Sequence, residues 1–257
     1  MLNQIFNENC FETLSRIENG SLDMVFADPP FNINKQYNGF KDKNADYYGW
    51  CYEWVKECFR ALKDTGTFYL MTIDRHLPEK FAMMKKYGVF INLIKWRNVS
   101  ASHDKRRFWN STQPIMVYGK TDAYKFNTYA QVRNILPKNM RWGGYSTKPK
   151  GQLLDYWDDI PFVYAGSIAH PEAILKERTN QKEHPCQMPT GLVARAMLFS
   201  TDEGDTVYDP FIGSGTTAIA CLKHKRNFIG SEVSPEVVLL AERRIKEFKN
   251  QGDLFVC

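Results

Sequence analysis

Val207-Tyr208-Asp209-Pro210-Phe211-Ile212-Gly213-Ser214-Gly215-Thr216-Thr217 reads as a strand that runs into a glycine turn and then a helix. Glycines let a backbone approach a ligand closely, and the free amides of a first helical turn favour an electron-rich group. The frame is not the dinucleotide fingerprint, which needs a third glycine, nor the phosphate loop, which needs Lys before the final Ser or Thr. The next strand instead ends in Ile229-Gly230-Ser231-Glu232. That puts an acid where a ribose's two hydroxyls would lie in the crevice of a doubly wound sheet, so a nucleoside ligand without a pyrophosphate fits.

Working outward, helices are expected over residues 190–200, from near 215 and over 234–249, with strands over 205–208 and 226–231. Ser234-Pro235-Glu236 is a start signal, a capping hydroxyl followed by a proline at the first helical position. Toward the amino terminus the pattern predicts a short strand near 4–7, a helix over 10–17 and a buried strand over 21–27. This last is closed by Asp28-Pro29-Pro30, because prolines cannot extend a ladder. Tyr47, Trp50, Trp54, Val55, Cys58, Phe59 and Leu62 repeat at helical spacing, and strands over 67–72, 89–96 and 114–118 flank a helix over 76–87. The alternation predicts an α/β fold with a doubly wound, mostly parallel sheet. Residues 121–183 hold no sustained period and are expected to form an inserted, mostly irregular module between the two parts, 1–120 and 184–257, of one principal domain.

Composition narrows the classes. The 257 residues are 43% apolar and 25% charged, and no apolar run approaches the length that crosses a bilayer. The start, Met1-Leu2-Asn3-Gln4-Ile5-Phe6, has no basic or long apolar segment, so the expected location is the cytoplasm. The six cysteines lack the paired spacings of a zinc or redox site and read as reduced thiols, with no metal expected. The net charge of +5 is uneven: twelve lysines and arginines face two aspartates between Lys95 and Lys150, a local +10 against −5 elsewhere. Aromatics interleave with these charges, a mixture suited to pairing phosphates and stacking bases.

Asp28-Pro29-Pro30-Phe31 suggests a chemistry. An exocyclic base amine is a poor nucleophile because its lone pair is delocalised into the ring. A carboxylate and a backbone carbonyl that accept its two hydrogens favour a pyramidal nitrogen with the lone pair freed. Asp28 and the Pro29 carbonyl could be those acceptors, with Pro30 helping to fix the backbone. Phe31 would stack on a base rotated out of the duplex.

Together, Asp28-Pro29-Pro30-Phe31-Asn32 and the Asp209 to Thr217 turn resemble the amino-methylating DNA methyltransferases, with the β-class order in which the catalytic tetrapeptide precedes the donor loop and target recognition lies between. His184-Pro185-Cys186-Gln187-Met188-Pro189 is similar to a further donor-packing segment of that family, with Met188 in place of the usual Lys. The resemblance implies S-adenosylmethionine as donor and double-stranded DNA as substrate. It implies donor contacts from Asn9, Cys10, Asp28, His184, Pro185, Gln187, Asp209, Phe211, Gly213, Ser214, Gly215, Thr216, Thr217 and Glu232. Asn9-Cys10 stands where the family often has Asp-Cys, so the donor's adenine amine would meet the Asn9 side-chain oxygen or the backbone. Asp28 at the first position favours adenine over the cytosine amine. Arg97, Lys105, Arg106, Arg107, Arg141, Lys148 and Lys150 are the candidate DNA contacts. A cognate restriction endonuclease and a homodimer stay open, as do methylation of a cytosine amine or an RNA base and a nucleic-acid-binding module without catalysis. A nicotinamide-dependent oxidoreductase is disfavoured by the glycine frame.

Overall fold

The computed structural model describes residues 1–37, 40–97, 106, 108, 110–128, 131, 153–160, 174 and 187–253. In chain order these form β1 (Gln4–Phe6), α1 (Cys10–Arg16), β2 (Leu22–Ala27), β3 (Gln36–Tyr37), β4 (Phe40–Lys41), α2 (Tyr47–Ala61) and β5 (Leu62–Met71). A 3-10 turn (Asp74–His76) leads into α3 (Leu77–Met84), β6 (Val89–Arg97), β7 (Thr112–Gly119) and β8 (Tyr156–Trp157). Then follow α4 (Thr190–Ser200), β9 (Thr206–Asp209), α5 (Thr216–Lys223), β10 (Asn227–Ser231) and α6 (Pro235–Asp253).

Eight strands make one sheet in the order β1-β10-β9-β2-β5-β7-β6-β8, with β7 antiparallel to both neighbours and every other pair parallel. The doubly wound expectation therefore holds. From β9 the chain proceeds through α5 to β10 on one side, and from β2 through α2 to β5 on the other. The crevice at the carboxyl ends of β2 and β9 is thus the topological switch point, where such sheets bind ligands.

β2 is buried along its whole length, as its apolar run from Met24 to Ala27 requires of a central strand covered on both faces. Its alternate residues serve two cores. Met24 and Phe26 pack with α4 and α5 residues such as Leu192, Met197 and Ala218, while Val25 and Ala27 pack with Trp54, Val55 and Cys58 of α2. Cys10, Cys51, Cys58 and Cys221 are free and buried. No helix among the described residues is long and apolar enough to cross a membrane.

Two departures from the expected elements have local causes. The helix expected over 76–87 starts as a 3-10 turn and stops at Met84, and β5 begins at Leu62 with no linker after α2. Two described parts of the 121–183 stretch, 121–128 and 153–160, are also more ordered than its composition suggests. Asn127 donates its side-chain amide to the carbonyls of Leu198 and Thr201 at 3.0 Å each, and the Phe126 ring lies 5.4 Å from that of Phe199. In the second part β8 pairs with β6, Trp96 Nε1 donates to Ile160 O at 2.9 Å, and Trp157 and Ile160 join the core. A two-residue strand is too short to show a period, so its burial is set by the sheet edge it meets.

Arg195 fastens this second part. It is fully buried in α4, forms a two-pronged pair with Asp159 at 2.9 and 2.6 Å, and lies 5.0 Å from the centroid of the Trp157 ring. Asp159→Ala should remove the ion-pair partner of a buried guanidinium and cost about 3–5 kcal/mol in urea denaturation, and adding Arg195→Met should recover most of that loss. A double variant as unstable as the single one would contradict this.

Candidate active site

The glycine turn is built from Asp209 outward. At the end of β9 its carboxylate accepts the Phe211 amide at 2.9 Å and the Thr217 hydroxyl, so one buried side chain spans the turn from strand to helix. Gly213 and Gly215 adopt φ of +52° and +81°, and a Cβ at Gly215 would sit 3.1 Å from the Ala241 Cβ of α6. Arg244 donates to both oxygens of Ser214, and Thr216 donates to the Met188 carbonyl at 3.2 Å, which ties residues 187–189 to the turn. Gln187 is buried and accepts the Ile174 amide at 3.1 Å. The Phe211 ring packs against Trp50 and Trp54 of α2, with centroids 5.6 and 5.1 Å away.

Glu232 follows β10. Its amide donates to Phe6 O at 3.0 Å, its carbonyl accepts Asn7 Nδ2 at 2.9 Å, and its Oε1 accepts the Ser234 amide at 2.8 Å. Asn9 and Cys10 lie just past β1. Asn9 Oδ1 accepts the Phe11 amide at 3.2 Å and so is already engaged as the cap of α1.

Asp28 stands one residue past β2, half-buried, followed by buried Pro29 and half-buried Pro30 and Phe31. The carbonyls of the next residues are tied to side chains from elsewhere: Pro30 O accepts the Tyr47 hydroxyl at 3.0 Å, Phe31 O lies 2.8 Å from His76 Nε2, and Asn32 O accepts Arg75 Nη2 at 2.8 Å. Asn32 and Asn34 have φ of +52° and +60°, conformations their short polar side chains tolerate. The Asp42 carboxylate accepts the amides of Ile33 and Lys35, and Asn44 exchanges two hydrogen bonds with the Asn32 side chain at 2.9 and 3.2 Å. Beneath lies fully buried Lys80, its ammonium 5.5 Å from the Tyr47 ring centroid and 5.9 Å from that of Trp54.

The electrostatics are those of a negative pole. Burial pushes Asp28 up to about 6, against the pull of Lys35 and Lys80. Burial pushes Asp209 up to about 7 against its hydrogen bonds from Thr217 and Phe211, and the neighbouring Asp28 and Glu232 charges push the same way. Glu232 is also raised by burial, against backbone amides including those of Ser234 and Gly213. Three carboxylates on adjoining strand ends, each costly to ionise, suit a cationic ligand that offsets their charge.

The switch point thus gathers Asn9, Cys10, Asp28, Pro29, Pro30, Phe31, Gln187, Asp209, Phe211, Gly213, Ser214, Gly215, Thr216, Thr217 and Glu232 around the ends of β1, β10, β9 and β2. His184, Pro185, Lys105, Arg107, Arg141, Lys148 and Lys150 lie outside the described residues. Arg97 and Arg106 are exposed. Within the basic block, Lys120 donates to Leu62 O at 2.6 Å and Lys125 pairs with Asp202 and Asp205 at 2.8 Å each, so these two charges serve the fold. Sequence reasoning missed Arg75, His76 and Lys80, and took Tyr47 as a core position only. No local spacing links them to Asp28, because they reach it across the ends of α2, β5 and α3.

Comparison with known proteins shows the family and the fold. The family model N6_N4_Mtase, described as DNA methylase, matches residues 22–243. DNA adenine methyltransferase YhdJ of Escherichia coli (strain K12) is 29% identical over 251 residues, covering 94% of this chain and 82% of that one. Type II methyltransferase M2.MboI of Moraxella bovis is 30% identical, covering 95% and 87%. Type II methyltransferase M.BamHI of Bacillus amyloliquefaciens is 32% identical over 90% of this chain, which spans 55% of that protein. The fold is shared with the crystal structure of the M1.HpyAVI–SAM complex (TM-score 0.60, 22% identity, 94% of this chain and 98% of that one). It is shared too with PvuII DNA methyltransferase (cytosine-N4-specific) (TM-score 0.68, 18% identity, 96% and 91%).

Because Asp28 is raised to about 6, the folded chain keeps a proton there that the unfolded chain has released. Its contribution to stability is therefore greatest below about pH 4 and is lost as pH rises through about 6. Asp28→Asn, which never ionises, should match the parent near pH 4 and exceed it by about 1–3 kcal/mol near pH 8 in paired denaturation curves. A difference that stays constant with pH would refute the assignment of that cost to Asp28.

Proposed function

Because the chain belongs to the N6/N4 amino-methylating DNA methyltransferase family, we propose that it transfers a methyl group from S-adenosylmethionine to the exocyclic amine of adenine in duplex DNA, after the base leaves the stack. The observation that carries this reading is the pairing of β2 with β9, in the register Met24 with Val207 and Val25 with Tyr208. Through it, strands far apart in sequence deliver Asp28 and the glycine turn to one crevice.

The residues present fit the donor. Its ammonium and sulfonium charges answer the raised acids Asp28, Asp209 and Glu232. The Glu232 carboxylate, oriented by backbone amides including that of Ser234, would accept the hydroxyls of a ribose with its remaining lone pairs. Phe211 to Gly215 hold the methionine part, flanked by Gln187, Thr216, Thr217 and the segment containing His184 and Pro185. The backbone near Asn9 and Cys10 meets the adenine, since the Asn9 oxygen caps a helix. When bound, the donor supplies a methyl carbon on a sulfonium, an activated leaving group that needs no metal.

The chain's own part in the reaction is to make the amine nucleophilic. Asp28 accepts one amine hydrogen and the Pro29 carbonyl the other, which draws the nitrogen out of conjugation with the ring. A carboxyl raised to about 6 is also suited to take the proton that the nitrogen releases. Phe31 stacks on the extruded base. The 121–183 insertion reads the target, and Arg97, Lys105, Arg106, Arg107, Arg141, Lys148 and Lys150 contact the DNA. Adenine is favoured by Asp at the first position of the tetrapeptide and by the likeness to an adenine methyltransferase. A cytosine-amine enzyme with the same fold makes cytosine-N4 the second reading.

Asp28→Ala should lower methyl transfer to DNA by about 100-fold or more while leaving a folded protein that still binds the donor. Digestion of the parent's product should yield N6-methyladenine. N4-methylcytosine would replace the base assignment, and an alanine variant as fast as the parent would overturn the role of Asp28.

A further inference from the structure

Hydrogen bonding around the Asp-Pro-Pro-Phe loop follows a pattern. Three successive carbonyls, those of Pro30, Phe31 and Asn32, are each held by a side chain from another element: Tyr47 at the start of α2, then His76 and Arg75 in the 3-10 turn after β5. Among the described residues, no hydrogen bond reaches the carbonyl of Pro29. The clamp therefore begins one residue after the carbonyl that the reaction needs free.

His76 sits at the centre of this clamp. It is buried, and its two ring nitrogens have different partners: Phe31 O lies 2.8 Å from Nε2 and the Tyr48 hydroxyl 2.8 Å from Nδ1. A carbonyl can only accept, so Nε2 carries its hydrogen toward Phe31 O at 2.8 Å, with Arg75 Nε farther off at 3.4 Å; burial lowers the His76 pKa and favours the neutral ring, whose Nδ1 then accepts from the Tyr48 hydroxyl. The Tyr47 and His76 rings lie 5.0 Å apart, so the two donors also brace each other. The prolines fix φ at residues 29 and 30 but lack amide donors, so the loop has few internal hydrogen bonds and the peptide planes after Pro30 are set by partners outside it, these three side chains together with Asp42 and Asn44.

We propose that Tyr47, Arg75 and His76 are positioning residues that set the peptide planes of residues 30–32 and thereby aim the Pro29 carbonyl at the target amine. Their contacts are with the loop carbonyls, and they act through the loop. The proposal rests on the methyltransferase reading for its effect on rate, but the clamp itself is a statement about the loop.

Tyr47→Phe removes only the donor hydroxyl. His76→Leu removes both ring partners, and His76→Gln keeps an N–H of similar reach. With active sites counted by donor binding, Tyr47→Phe and His76→Leu should each lower kcat about ten- to hundredfold, since small misplacement of a reacting group carries losses of that order. KM for the donor should stay within about twofold, and His76→Gln should recover much of the rate. A merely structural role would lower the melting temperature and leave kcat per donor-binding site unchanged, and that outcome overturns the proposal. Hydrogen exchange at the amides of residues 31–35 supplies a readout independent of activity. Exchange should quicken in the Tyr47→Phe/His76→Leu pair, and unchanged exchange sinks the clamp even if the parent methylates DNA. If the parent transfers no methyl group, the functional reading falls, and the exchange result alone decides the clamp. Should His76→Leu fail to fold, Tyr47→Phe decides both measurements.

Discussion

The parallel contact between β2 and β9 is the constraint on which the molecule depends. The strands lie some 180 residues apart in the chain, as the hydrogen bond from the Thr206 amide to Asp23 Oδ2 illustrates, yet they are neighbours at the middle of the sheet. Everything chemical hangs from their carboxyl ends: Asp28 after one, the Asp209 turn after the other. Since connections leave them in opposite directions, neither α2 nor α5 covers the gap, and the crevice stays open for ligands.

That arrangement has an electrostatic consequence. Three acids share the crevice, and burial is the largest influence on each; at Asp28 it outweighs the pull of Lys35 and Lys80. Burial thus makes ionising each of the three costly, and a ligand carrying positive groups offsets that cost. Strain of this kind is typical of sites that sacrifice stability for binding and rate. The surroundings answer with rigidity: the Asp209 bridge across the turn, the Arg244 grip on Ser214 and the Asp42 grip on the loop after Phe31.

Two described parts of the 121–183 stretch are joined to this rigid centre. Residues 121–128 run along α4 and the start of β9, while β8 extends the sheet and Arg195 pairs with Asp159 beneath it. Two of the lysines that make the middle of the chain basic turn inward to such contacts, so the charge available to DNA is smaller than the composition suggests.

By itself the sequence determined the alternation of strands and helices, the glycine turn at Gly213 and Gly215, and Asp28 at a strand end, because these rest on periodicity, on backbone freedom and on prolines, all local properties. It could not reveal which strands adjoin, nor that a two-residue strand from the irregular middle would complete the sheet edge, since pairing partners are chosen by the packing of both faces at once. Nor could it show that Tyr47, Arg75 and His76 converge on three consecutive carbonyls. Their positions 47, 75 and 76 carry no shared spacing with residues 30–32, and only the sheet's geometry, which sets the ends of β2 and β5 side by side, brings those donors within reach.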